Sequence, residues 1–290
     1  MTSFGMISPS DQAGRQAHVP PALGDLHRGE YFAALFVLGY GNAFTSRIIA
    51  AIHQWGLTNA LLHTFNVSVI IWISCIVGIS LIFEDRISKL RAADLAAGMG
   101  FTVLALLPVG PVNWFAVSGL GIYIVATTEA SAFRRGGTIL FASTVPLLWS
   151  PLLFHFFSKP ILAIDASLVS LLLGTPRTGT LVEFADHSGE LAIFPACSSL
   201  ANVSLAFLCW VLMSRWVRHK GSAYDLFWCL LACVSVIALN VARLGIYGLS
   251  KWNYLTFHSS WADAIDSTLI TIVVFGISAL GVRRELVRDI

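Results

Sequence analysis

Charge is scarce in this sequence. Of its 290 residues, 12% are Asp, Glu, Lys or Arg, against roughly 25% in an ordinary soluble domain. The 16 acids and 18 bases cannot coat a globule of this size. That excludes a soluble enzyme, a disordered chain and a nucleic-acid binder. The formal net charge of +2 is too small to imply an anionic partner. Several motifs are missing as well. There is no His-Glu-x-x-His, so zinc-dependent intramembrane proteolysis has no ligand set. Neither a Gly-x-Ser-x-Gly elbow nor a glycine-rich loop ending in Gly-Lys-Ser/Thr occurs. Acidic residues are sparse within the apolar stretches, which counts against a transporter with a carboxylate relay.

Cysteine is also scarce, at five residues. Cys75, Cys209, Cys229 and Cys233 lie inside long apolar runs, where a thiol behaves as a small hydrophobe. No His or further Cys joins Cys229 and Cys233 at a metal-ligand spacing, so no metal and no organic cofactor is expected. Cys197 stands apart, at the edge of a run in Phe194-Pro195-Ala196-Cys197-Ser198-Ser199.

Apolar length is what the chain has in abundance: 56% of its residues are hydrophobic. Runs near 31–52, 66–83, 93–108, 112–130, 138–157, 198–214, 224–242 and 262–282 read as eight transmembrane helices, since about 20 apolar residues cross a hydrocarbon core of about 30 Å. Arg47 in the first run has to snorkel to an interface. Residues 1–29 mix Pro, Gly, His and charge and read as a cytoplasmic tail. Residues 30–290 read as a single integral membrane domain. Direction follows from the bases. Arg15, Arg28, Arg86, Lys89, Arg91, Arg134, Arg135, Arg215, Arg218, Lys220, Arg283, Arg284 and Arg288 fall on one side, 13 of the 18. By the positive-inside rule that side is cytoplasmic, and both termini lie there. The expected class is an all-α polytopic membrane protein of the cell (inner) membrane.

Segment 158–197 is the long external piece. Residues 161–173 are apolar but too short to span, and read as an interfacial or re-entrant helix. Runs 180–185 and 190–194 flank Asp186-His187-Ser188-Gly189 and read as a short β-hairpin on the outer face. His187 and Glu190, at its turn, read as solvated.

This topology brings three reactive residue types to one surface. Cys197 sits at the outer start of the sixth span, and Arg243 follows Asn240 at the outer end of the seventh. His258 precedes the eighth, in Phe257-His258-Ser259-Ser260-Trp261. A helix N-terminus and a nearby guanidinium both favour a thiolate, and a neutral imidazole can accept the thiol proton. Each residue has a plainer role open to it. Cys197 could be interfacial packing, Arg243 a snorkelling base and His258 part of an aromatic belt. Asn240 is placed to fix the guanidinium, donate to an oxyanion or bond another helix. Asp263 and Asp266 follow His258 and either could orient its ring, or both could complement the helix dipole. Asp94 reads as a dipole partner for the third span, and Glu129 as a partner for Arg134 or Arg135.

At Ala196-Cys197-Ser198-Ser199, followed by Asn240-x-x-Arg243 and His258, the sequence resembles the exosortase/archaeosortase family of membrane cysteine transpeptidase-like enzymes. The match covers roughly residues 180–280. Ser199 departs from the pattern, many members having Gly there. The resemblance implies a cysteine peptidase or transpeptidase with Cys197, Arg243 and His258 as catalytic residues. Asn240, Ser198 and Asp263 would support them. Its partners would be exported proteins with a C-terminal sorting tail, made of a short signature (Pro-Glu-Pro in one class), a transmembrane helix and a basic cluster. The acceptor would be a surface glycan, a lipid or water. The external hairpin would pair with the extended signature as an added strand. Two other readings stay open: a membrane transporter or assembly subunit with a polar external cavity, and a member that binds the tail without cleaving it.

Overall fold

The computed structural model describes residues 26–290 except 87, 108–109, 130, 220, 223, 258–259, 284–286 and 288–290, and omits the side chains of 131 and 260–264. The chain is mainly helical. Helices α1 (Arg28–Leu62), α2 (Val69–Phe83), α3 (Ala92–Leu106), α4 (Gly110–Thr127), α5 (Ser131–Thr144) and α6 (Ser150–Leu173) come first. A small sheet follows, with β1 (Arg177–Thr178), β2 (Leu181–Glu183) and β3 (Glu190–Ala192). Then come α7 (Ser199–Trp216), α8 (Tyr224–Gly248), α9 (Lys251–Phe257) and α10 (Ser260–Gly281).

Five helical stretches are long and apolar enough to cross a membrane: Arg28–Leu62, Gly110–Thr127, Ala132–Leu173, Pro195–Trp216 and Tyr224–Gly248. Val69–Phe83, Ala92–Leu106 and Ile265–Gly281 are apolar but shorter. At 1.5 Å per residue the first two reach about 22 Å, less than the roughly 30 Å of a hydrocarbon core, whereas the last belongs to α10, whose 22 residues reach about 33 Å. The chain is thus of the multi-pass membrane type, and eight apolar helices account for the eight runs read from the sequence.

The 161–173 run, expected as an interfacial or re-entrant helix, forms the part of α6 that lies beyond a kink. α5 passes through a π turn at Val145–Trp149 into α6. The helical path then breaks at Phe157 (φ −122°, ψ 25°), three residues before Pro160. Proline lacks the N–H that would bond the carbonyl four residues back, and its ring crowds that carbonyl. The break therefore sets a second helical piece apart from the first, where the sequence suggests a separate element. Another break, at Gly56 in α1, needs a positive φ of 73° that glycine tolerates.

Helix packing relies on small residues. A Cβ on Gly136 of α5 would lie 2.7 Å from the Gly78 carbonyl oxygen of α2 and 3.0 Å from the Ile82 nitrogen. The two backbones approach that closely because neither glycine carries a side chain. One large apolar core runs through α1, α2, α4, α7, α8 and α10, including Phe32, Phe36, Phe44, Val117, Leu208 and Val274.

Arg28 departs from its expected place in a tail. It is the first residue of α1 and is 2% exposed. Its guanidinium donates to Asp94 (2.9 and 3.1 Å) and to Thr127 and Thr128 (2.7 Å each). Asp94 also accepts from the Tyr123 hydroxyl (2.9 Å) and from the Arg91 backbone N–H (3.0 Å). The carboxylate does complement the start of α3, but it also pins the start of α1 and the end of α4 at one end of the bundle. Arg135 donates to the carbonyls of Arg215 (2.9 Å) and Trp216 (3.3 Å), so it caps α7; no pairing with Glu129 occurs among the described residues.

The expected hairpin is present as β2 and β3, and β1 adds a third antiparallel strand in the order β1-β2-β3. Alternation decides its faces: Val182 and Leu191 are buried, while Leu181 and Glu190 are exposed. With Phe184 and Ile193 they form a second apolar cluster on Ala166 and Val169 of α6 and Leu244 and Tyr247 of α8. This cluster lays the sheet across the α6 and α8 ends, and the chain leaving β3 reaches Cys197 there.

Candidate active site

The turn that holds Cys197 is built locally. Pro195 opens a single 3₁₀ turn, Pro195–Cys197, in which the Cys197 N–H donates to the Phe194 carbonyl at 2.8 Å. Ser198 then caps α7, its hydroxyl accepting from the Leu200 N–H at 3.3 Å. Cys197 is half-buried against the second apolar cluster, onto which Val241, Tyr254 and Phe257 also pack.

A polar network fixes this turn from three helices. Asp165 on α6, 3% exposed, accepts from both the Ser199 N–H (3.1 Å) and its hydroxyl (2.7 Å). A carboxylate facing the first N–H groups of α7 is favoured by the helix dipole, and two charge-assisted bonds offset part of its burial. Asn240 on α8 is fully buried. Its amide donates to the Cys197 carbonyl (2.9 Å) and to the Ser199 hydroxyl (3.0 Å). Its amide oxygen accepts from Arg243 at 3.2 Å. Arg243 also donates to Asp266 of α10 at 3.0 Å and lies over the Tyr247 ring, 5.9 Å from its centre. The chain Asp165–Ser199–Asn240–Arg243–Asp266 thus links α6, α7, α8 and α10, and the Cys197 backbone hangs from its centre.

Of the residues singled out from the sequence, Cys197, Ser198, Asn240 and Arg243 come together. His258 lies outside the described residues, as does the Asp263 side chain. Asn240 takes two of the roles open to it: it fixes the guanidinium and bonds another helix. Both of its donated bonds go to Cys197 and Ser199, not toward an incoming oxyanion. Asp266 is engaged with Arg243, at 13% exposure for the carboxylate and 19% for the guanidinium. At the hairpin turn His187 is 74% exposed and Glu190 is exposed, as expected of solvated residues, and the His187 ring lies 2.6 Å from the Glu183 carboxylate. There Ser188 donates to Asp186 from its hydroxyl and its N–H, holding that carboxyl below the usual range.

Asp165 is the member of this network that sequence reasoning passed over. Its signal is a lone carboxylate inside an otherwise apolar helix, costly unless partnered. Its partner, Ser199, is the residue that departs from the pattern of the family the sequence resembles; the two meet across α6 and α7.

Among the described residues no group of three His, Cys, Asp or Glu is placed to hold a metal ion. Comparison with known proteins finds no matching family model, no matching curated protein and no matching solved structure.

Proposed function

We propose that this chain is a membrane-embedded cysteine peptidase or transpeptidase, related to the exosortases and archaeosortases, that cuts the C-terminal sorting tail of exported proteins at the outer face. The observation that carries the reading is Asn240, which holds the Cys197 carbonyl with one end and the Arg243 guanidinium with the other. A nucleophile and a cation are thereby kept in one small assembly, on residues drawn from two helices.

In this reading Cys197 attacks the carbonyl of the recognition motif and forms a thioacyl-enzyme. His258 takes the thiol proton and returns it to the leaving amine. Arg243 stabilises the developing oxyanion, Asp266 and Asn240 hold the guanidinium, and Ser198 and Asp165 hold the turn. A surface glycan, a lipid or water then releases the product. The chain crosses the membrane eight times, with both termini cytoplasmic and the Cys197 end outside. Supporting this, Arg28 and Arg47 are about 28 Å apart along α1, close to the thickness of a hydrocarbon core.

A second reading has one observation in its favour. A polar cavity of 280 Å³ lies between α2, α7 and α10, lined by His63, Asn66, Asn202, Ser267 and Thr271 among others. It suits a transporter or assembly subunit with an external polar space. Processing of a tail-bearing reporter in membranes separates the two readings. The enzyme reading expects Cys197→Ala and Arg243→Gln to abolish cleavage. Full processing by Cys197→Ala would overturn it, and a flux altered by Arg243→Gln but not by Cys197→Ser would favour the transporter.

A further inference from the structure

Strand β3 leaves a backbone edge open. The Phe184 N–H donates to Gly189 (2.9 Å) and the Ile193 N–H to Thr180 (2.9 Å). By alternation Leu191 also faces β2, so the N–H and C=O groups of Glu190 and Ala192 point away from the sheet. Among the described residues nothing bonds them. An uncovered edge of this kind invites another strand.

The edge faces a slot. A cavity of 280 Å³ is walled on one side by Glu190, Ala192 and Phe194 and on the other by Lys251, Tyr254 and Leu255 of α9. The two walls are tied together at one end. The Ala185 N–H donates to the Gly248 carbonyl at 2.9 Å, and the Lys251 N–H to the Ser188 hydroxyl at 3.1 Å. Phe194, three residues before Cys197, also lines the slot. Beyond Ala192 the chain stays extended at Phe194 and then turns through Pro195–Cys197.

We infer that this slot is the substrate groove: an extended peptide of the exported protein adds to the β3 edge as a fourth strand and delivers its scissile bond to Cys197. This rests on the proposed function, whose substrate it describes. The occupant must be extended backbone, since Glu190 and Ala192 present alternate donors and acceptors at strand spacing.

The test needs neither the cognate sequence nor acyl transfer. The full chain in nanodiscs is equilibrated with a short threonine–valine peptide ending in a cysteine capped as its 2-mercaptoethanol disulfide. The Cys197 thiolate displaces 2-mercaptoethanol and forms a mixed disulfide, mapped by peptide mass with Cys197→Ala as the blank. Added 2-mercaptoethanol then reverses the exchange. The free-amide peptide should withstand about tenfold more reductant than its twin N-methylated at alternate residues, because methylation removes the donors an added strand needs. Ala192→Pro, which removes one outward N–H while sparing the bonds to β2, should erase that difference. Equal release of the two peptides, or no adduct at Cys197 from either, would overturn the groove. If a thioacyl adduct still forms with a tail peptide, the groove fails and the enzyme stands. If tethering is amide-dependent but no thioacyl ever forms, the enzyme fails and the groove stands.

Discussion

Replacing Asp165 with asparagine probes the network at its least expected member. The carboxylate accepts two bonds from Ser199, at 2.7 and 3.1 Å, in a site 3% exposed. Bonds to a charged group contribute about 1.5–3 kcal/mol each. An asparagine of nearly the same shape retains one acceptor oxygen, and its NH₂ can donate to the Ser199 hydroxyl once that hydroxyl rotates. One charge-assisted bond is therefore replaced by a neutral one and the other is weakened. Loss of the negative charge from the start of α7 costs about 0.5–1 kcal/mol more. Against this, an uncharged amide is easier to bury than a carboxylate. The expected net loss is about 1–3 kcal/mol. Asp165→Leu should cost more, because the Ser199 N–H is then buried without an acceptor. Reversible unfolding in detergent, read by tryptophan fluorescence, measures the loss. Peptide mass mapping after a timed dose of iodoacetamide reports whether the Cys197 turn has loosened. An Asp165→Asn protein as stable as the wild type, with unchanged alkylation of Cys197, would refute the argument that this carboxylate holds the turn.

Other substitutions test other joints of the structure. Arg28→Gln, which leaves Asp94 buried at the helix junction, should destabilise by about 3–5 kcal/mol in the same unfolding assay. Asn240→Leu removes three hydrogen bonds, frees the Cys197 carbonyl and takes one of its anchors from the guanidinium. It should cost about 2–4 kcal/mol and abolish processing, while Asn240→Gln should recover part of the stability but not the geometry. Gly136→Ala pushes a Cβ into the Gly78 carbonyl and should cost about 1–3 kcal/mol, read as a lower melting temperature in detergent. At the hairpin turn the Asp186 carboxyl is depressed by its bonds from Ser188. Its stabilisation is thus full above the ordinary Asp pKa and is lost as pH falls through the lower folded value. Amide exchange at Ser188 should stay protected in mild acid in the wild type and lose protection in Asp186→Ala.

Much of the architecture is legible in apolar run length and turn chemistry, because both are local. The eight runs correspond to helices, and Asp186-His187-Ser188-Gly189 marks the hairpin turn. Pro160 marks a break as well, and α6 kinks at Phe157, three residues before it. The third strand, Arg177–Thr178, is too short to show alternation. At the site, Asn240 and Arg243 are legible because they sit one helical turn apart beside an interfacial cysteine. The pairing of Asp165 with Ser199 spans 34 positions and exists only once α6 and α7 are packed. Asp266 could be read as serving His258 or the helix dipole, since nothing in its spacing points across to α8. Arg28 looked like a tail residue for the same reason: its partners, Asp94, Thr127 and Thr128, are 66 to 100 positions away.

The most direct measurement is the intact mass of the protein after brief incubation with a synthetic sorting-tail peptide and acid quench. The account predicts a mass increase equal to the N-terminal acyl fragment, mapped to Cys197, released by hydroxylamine and absent from Cys197→Ala. Reporter cleavage in membranes with no such adduct at any quench time, or an adduct that persists in Cys197→Ala, would contradict it.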